Sequence, residues 1–231
     1  MLFRDTIREV LLHTPLGKYL GYRYCYMFSP AQLCFLADCI TKTANLKGPI
    51  FEIGCAAGVS TVWLNKHMDD TRIEKPYFAI DTFKGFLNED IEYEASKRGK
   101  AAGRAVMKNV FASNKKSWVQ RTLHRNDVTR VTLIEADAST FDYGEYSEIS
   151  FALIDVDLYL PVKNILEKLY PRMAEGGIIV VDDCAPGLWD GALQAYEEFT
   201  HSRHLPGQIM HRKLGVIKVP DRNENCLFKQ P

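Results

Sequence analysis

Ile50-Phe51-Glu52-Ile53-Gly54-Cys55-Ala56-Ala57-Gly58-Val59-Ser60-Thr61-Val62-Trp63-Leu64 changes character twice. A short apolar run carrying one acid passes into two glycines and small residues, then into apolar positions at helical spacing, Val59, Val62 and Trp63. The pattern predicts a strand, a tight loop and a helix. Glycines in the loop permit backbone angles and a close approach that a Cβ would forbid, and the helix start offers unpaired N–H groups. A dinucleotide fingerprint wants G-x-G-x-x-G with a pyrophosphate on the helix N-terminus. Here the spacing is Glu52-x-Gly54-x-x-x-Gly58, with Ala56 where the middle glycine would stand. A carboxylate at Glu52 would repel a pyrophosphate but suits a cationic amino-acid end.

Working outward, this arrangement resembles the first motif of class I S-adenosylmethionine-dependent methyltransferases, whose ligand has no phosphate and carries an ammonium group. On that resemblance Glu52, Gly54, Cys55, Ala56, Gly58 and Ser60 are candidate cofactor contacts. Tyr77-Phe78-Ala79-Ile80-Asp81 is a second apolar run ending in an acid, at the distance where a doubly wound fold sets a ribose-binding carboxylate. Thr82 and Phe83 follow it, then Gly85, and complete the expected ribose turn. Val131-Thr132-Leu133-Ile134-Glu135 reads as a third strand; after it Asp137 and Ala138 are placed to meet an adenine, with Asp137 accepting from the exocyclic amine.

Ile149-Ser150-Phe151-Ala152-Leu153-Ile154 is nearly continuous in apolar residues, as a strand buried on both faces should be, and it ends at Asp155-Val156-Asp157. Pro161 is expected to open the next helix. Glu175-Gly176-Gly177 reads as a turn into Ile178-Ile179-Val180-Val181, a strand terminated by Asp182 and Asp183. In an open α/β sheet ligands bind beyond the carboxyl ends of the strands. Asp155, Asp182 and Asp183 should therefore meet on one rim, where unpaired carboxylates would raise one another's pKa and call for a cation. Hard oxygen donors with room for water suit Mg²⁺.

The run Ala152-Leu153-Ile154-Asp155-Val156-Asp157-Leu158-Tyr159, with Leu169-Tyr170-Pro171-Arg172, Gly176-Gly177 and Val181-Asp182-Asp183-Cys184, is similar to the signature of the macrocin and mycinamicin O-methyltransferases, a family that includes the novobiocin sugar O-methyltransferase. Asp81-Thr82-Phe83-Lys84-Gly85-Phe86 is similar to that family's aspartate, small residue, phenylalanine, acid, glycine, leucine turn, with Lys84 in place of the acid; Val156 replaces a glycine and Cys184 a tyrosine. The resemblance covers about residues 50 to 200. It implies a Rossmann-like seven-stranded methyltransferase sheet with its last strand antiparallel, magnesium held by Asp155, Asp182 and Asp183, and Asp155 suited to act as general base. The activity implied is O-methylation of a small-molecule hydroxyl, a sugar or glycosylated natural product foremost.

The remaining chain is read around that core. Residues 1–48 form an N-terminal arm and helix, and 49–231 a methyltransferase domain. Aromatics Tyr19, Tyr22, Tyr24, Tyr26 and Phe28 crowd around Gly17 and Gly21 and suit docking on the core, a flap over the site or a homodimer contact. Ser29-Pro30 should start a helix running to about Thr43. Residues 87–130 depart from strand–helix alternation: charges from Glu89 to Arg104 precede a helical stretch around 110–123, so the segment reads as a lid or a solvated loop. Within it Lys97, Arg98 and Arg104 could meet an acidic substrate, and His124 a proton. His201, His204 and His211 lack a metal-site spacing and read as helix-end and loop residues.

Composition bounds the function. The 46% hydrophobic content supplies a core for one large domain. Lys plus Arg and Asp plus Glu both number 29, leaving no basic field for nucleic acid. Six scattered cysteines, Cys25, Cys34, Cys39, Cys55, Cys184 and Cys226, read as reduced thiols. No apolar run approaches a membrane span, and the opening Met1-Leu2-Phe3-Arg4-Asp5 lacks a signal peptide's order, so the expected setting is cytoplasmic. Two other readings remain: a NAD-dependent oxidoreductase, disfavoured by the missing glycine and the rim acids, and a non-catalytic methyltransferase-like binding protein.

Overall fold

A computed structural model describes Ile7, Val10, Leu11, His13, Thr14 and residues 24–220. Gly17, Tyr19, Gly21, Tyr22, Cys226 and the opening five residues lie outside the described residues. Seven strands form one sheet: β1 (Ile50–Ile53), β2 (Tyr77–Asp81), β3 (Val131–Glu135), β4 (Ile149–Ile154), β5 (Met173–Val181), β6 (Gln208–Met210) and β7 (Leu214–Lys218), in the order β3-β2-β1-β4-β5-β7-β6. Neighbours are parallel except that β7 runs antiparallel to both β5 and β6. This is the expected class of sheet.

Alternation along the central strands builds two cores. Phe51, Ile53, Ala152, Ile154, Ile179 and Val181 face one side with helices α6 (Tyr159–Leu169) and α7 (Gly191–Ser202). Ile50, Phe151, Leu153, Ile178 and Val180 face the other, with α1 (Pro30–Lys42), α2 (Val59–Asp70) and α5 (Lys116–Arg125). Because side chains alternate faces along a strand and both faces are covered, the central strands are apolar at nearly every position, with Glu52 in β1 and Ser150 in β4 the buried polar exceptions. α1 begins as expected, with a reciprocal capping box between Ser29 and Gln32 and Pro30 in its first turn.

Three local expectations are corrected. Glu175-Gly176-Gly177 is not a turn outside the strand: β5 starts at Met173 and absorbs the glycines where its register with β4 shifts. α6 starts at Tyr159, two residues before Pro161. Residues 87–130 are neither a loop nor one late helix. They form α3 (Asn88–Lys97), a 3₁₀ turn, α4 (Arg104–Asn109) and α5, and the stretch from Val110 to Lys115 is the non-helical link between the last two.

Candidate functional site

Strand register places the site. Ile53 pairs with Ile80 and with Ile154, and Ile154 pairs with Val181, so four strand ends lie side by side. The next residues, Gly54, Asp81, Asp155 and Asp182, therefore form one row at the carboxyl rim. Backbone bonds carry the ladder into that row: Gly54 N–H donates to Ile80 O, Asp155 N–H to Ile53 O and Asp182 N–H to Ile154 O, each at 2.8 Å. Only glycine fits at position 54, where φ is +91° and a Cβ would lie 1.8 Å from the Asp155 carbonyl oxygen. Beyond the row the chain turns sharply at each strand end. Ala56, Phe83, Asp157 and Asp183 all adopt the left-handed region, which non-glycine residues rarely occupy and which clusters at functional sites.

A cavity of about 220 Å³ opens over this rim. Gly54, Ala56, Asp81, Thr82, Asp137, Ala138, Asp155, Asp182 and Asp183 all line it, so the structure brings together most of the residues singled out from sequence. The Asp81 carboxylate is fixed at both ends: Oδ2 accepts from Ala56 N–H at 2.8 Å and Oδ1 from Phe83 N–H at 2.6 Å. Each oxygen keeps acceptor capacity for a ligand hydroxyl. Asp137 Oδ1 accepts from Ser139 N–H and Oγ–H at 2.9 and 2.7 Å, which aims the loop after β3.

Glu52, Cys55, Gly58, Ser60 and Phe83 do not line the cavity. Glu52 is buried beneath the turn, where Oε1 accepts from Ser60 Oγ–H at 2.6 Å and Oε2 from Tyr77 O–H at 2.8 Å. Burial pushes its carboxyl up in pKa against these hydrogen bonds. The expected partner for a ligand ammonium is thus a strut joining β1, α2 and β2. Cys55 and Phe83 belong to the core on the α1/α2 side.

The acids crowd the other half of the cavity. Asp155, Asp157, Asp182 and Asp183 all line it, with Lys213 as the basic residue among them. Asp157 was not anticipated as a site residue, although it stands two positions from Asp155. Burial pushes Asp155 well above the usual carboxylate range, and Asp182, Asp157 and Asp183 add to it. Asp157 is raised by burial and by a hydrogen bond with Asp183. Burial, then Asp183, pushes Asp182 up to about 6, with Lys213 opposing. Lys213 Nζ lies 2.7 Å from Asp182 Oδ2 and 2.9 Å from Asp183 Oδ1. Asp182 Oδ1 is buried with no hydrogen-bond partner.

These observations test the implied magnesium. The donor set is hard carboxylate oxygen, in excess over one ammonium, and the orphaned Asp182 Oδ1 is the kind of atom a cation satisfies. The chemistry fits. As arranged, however, no group of three His, Cys, Asp or Glu side chains able to hold a metal is found among the described residues, and the Lys213 ammonium is seated on two of the three expected ligands.

Further lining residues were not legible as such. Phe86, Phe111 and Trp189 make an aromatic wall, with Phe86 5.7 Å from Trp189 and 6.0 Å from Phe111 between ring centroids. Asp90, on α3, enters the cavity only 9% exposed; burial, then Asp137, push its pKa up to about 7. Met27 brings the end of the N-terminal arm to the cavity. Two of the three cations expected to meet an acidic substrate are already engaged: Arg98 with Glu94 and Asp190, and Arg104 with Glu92. His124, His201, His204 and His211 are exposed at helix ends and turns, away from the cavity lining.

Residues 51–184, more than half of the chain, match the family described as a methyltransferase domain. The chain belongs to that family. This methyltransferase has the class I sheet, and solved structures share its fold. One is the O-methyltransferase NovP, with TM-score 0.71, 17% identity, and 86% of this chain and 84% of that chain covered. Another is CalS11, a calicheamicin methyltransferase, with TM-score 0.68, 18% identity and coverage of 94% and 91%. An apo structure of CalS11, described as a TDP-rhamnose 3′-O-methyltransferase, matches with TM-score 0.56 at 18% identity, covering 94% and 93%. At such identities the likeness is one of fold. No curated protein matches the chain by sequence.

Proposed function

We propose that this methyltransferase transfers the methyl group of S-adenosylmethionine to a hydroxyl of a small molecule, a sugar or glycosylated natural product foremost, with magnesium assisting at Asp155, Asp182 and Asp183. The row formed by Gly54, Asp81, Asp155 and Asp182 carries this reading, because it puts a ribose-type carboxylate and an acid cluster on one cavity. S-adenosylmethionine supplies an electrophilic methyl carbon on a sulfonium, and Mg²⁺ would lower the pKa of a hydroxyl bound to it. Asp81 holds the ribose hydroxyls, Asp137 and Ala138 the adenine. Asp155 takes the acceptor's proton, a role that needs nearby positive charge to keep its carboxylate ionised. Positioning the oxygen opposite the sulfur supplies much of the acceleration.

The aromatic wall of Phe86, Phe111 and Trp189 supports an acceptor hydroxyl carried on a ring with an apolar face. Residues 87–130 act as the lid, which contributes Phe111 to that wall, and residues 1–48 as the N-terminal arm and helix, with the methyltransferase domain at 49–231. No described helix is long and apolar enough to cross a membrane. Cys25, Cys34, Cys39, Cys55 and Cys184 are free thiols, which supports a reducing, cytoplasmic setting.

Thermal melting with S-adenosylhomocysteine or NAD tests the reading. Stabilisation by the first alone is expected; stabilisation by NAD alone would replace it with the oxidoreductase. Binding without methyl transfer to any of a panel of sugar and phenol acceptors would favour the non-catalytic protein.

A further inference from the structure

Lys213 reaches the acids because of strand register. Val181 pairs with Gly215 across the antiparallel β5–β7 ladder, so continuing outward sets Leu214 opposite Asp182 and Lys213 opposite Asp183. The Cys184 N–H donates to Lys213 O at 2.7 Å and closes that step. The turn is held from behind by Gln32 Nε2, which donates to His211 O at 3.1 Å. The ammonium also lies 5.3 Å from the centre of the buried Phe28 ring. This cation is built into the rim.

We infer that Lys213 is a tethered counter-ion seated where the divalent cation binds, so that a metal ion and the Lys213 ammonium compete for Asp182 and Asp183. The inference rests on the magnesium reading above and adds to it the residue that sets metal affinity. Two cations sharing the same carboxylates repel each other strongly in a half-buried cavity. A metal ion must therefore displace the ammonium or bind weakly beside it. Lysine suits displacement: its charge is a point on a flexible stem, and 23% of the side chain is exposed to solvent that can receive it. Asp182 Oδ1, buried and unpartnered, is the acceptor that Lys213 leaves unsatisfied and a metal ion would take. With Lys213 in place the acid pair carries half its countercharge without metal, and loading becomes an exchange of one cation for another.

The test measures Mn²⁺ binding to the full chain by calorimetry and by the electron paramagnetic resonance of free Mn²⁺. Lys213→Met keeps the stem and removes the charge; Lys213→Gln serves if that variant melts early, and Lys213→Arg keeps the charge. The methionine or glutamine variant should bind Mn²⁺ about tenfold or more tightly than the wild type, and the arginine variant should stay near it. Equal affinity in wild type and Lys213→Met, with binding lost in Asp182→Asn, would overturn the competition and leave the metal reading standing. Absence of binding in all variants would overturn both, and so separates the two failures.

Discussion

Asp155 and Asp90 show how burial makes a carboxylate useful or costly. Asp155 sits in the rim row with three other acids at hand, so it can accept a proton only beside positive charge. Asp155→Ala should lower kcat by about 10²–10⁴ while S-adenosylhomocysteine binding stays near the wild-type value; steady-state kinetics with a binding titration checks this, and full turnover would remove Asp155 from proton transfer. Asp90 carries a pKa of about 7, above the roughly 3.9 of an unfolded aspartate. The folded chain thus holds a proton that the unfolded chain releases. That contribution to stability is complete below about pH 4 and is lost as pH rises to about 7. Asp90→Asn should therefore raise the melting temperature at pH 8 and do so much less at pH 5, and an equal effect at both would mean that Asp90 titrates normally. Neither side chain's environment was legible locally. The Asp155 cluster could be anticipated from strand ends, whereas Asp90 looked like one of many charges on a polar segment until α3 was seen to face the cavity.

At the scale of elements, a charged strut joins α3 to the starts of α6 and α7. Glu94 Oε1 accepts from Tyr159 N–H at the start of α6 at 2.8 Å, while Oε2 takes Arg98 at 2.6 Å. Arg98 also reaches Asp190, just before α7, and Lys100 lies 2.7 Å from the same carboxylate. The Glu94 and Arg98 side chains are 1% and 9% exposed, and removing one partner from a buried pair leaves the other uncompensated. Arg98→Ala should destabilise by about 3 kcal/mol, read from urea melts, and should speed proteolytic cleavage within residues 98–115; unchanged stability would show the pair to be dispensable. The strut also explains why sequence reading missed the order in this segment. A dense mix of signs resembles a solvated face, and nothing local reveals that Arg98 finds Asp190 some ninety residues away. By contrast β1, β2 and β4 were readable to within a residue, because a strand buried on both faces is apolar at nearly every position. The β5 start was misread because a glycine pair looks the same in a turn and in a bulge.

For the whole molecule, the family resemblance implied a class I sheet with its last strand antiparallel, and that is the sheet observed. Long-range registration lay beyond sequence: Lys213 reads as an ordinary loop lysine, and Glu52 keeps its motif position while its carboxylate serves Ser60 and Tyr77. Binding across the rim couples ligand to global stability. S-adenosylhomocysteine at a hundred times its Kd should add about 2.7 kcal/mol, which for a chain of this size is a rise in Tm of about 5–10 °C. Differential scanning fluorimetry measures it directly, and a shift absent at saturating ligand would contradict adenosyl binding at this cavity.

One topological detail has a consequence for synthesis. β7 enters the sheet between β5 and β6 although it follows both in the chain. A nascent polypeptide halted before residue 213 leaves Ile178–Val181 as a raw margin, its outward amides and carbonyls open to any passing strand. It also leaves Asp182 and Asp183 without their ammonium. The same short segment cures both defects, so docking β7 seals the margin and brings the rim its ammonium in a single step.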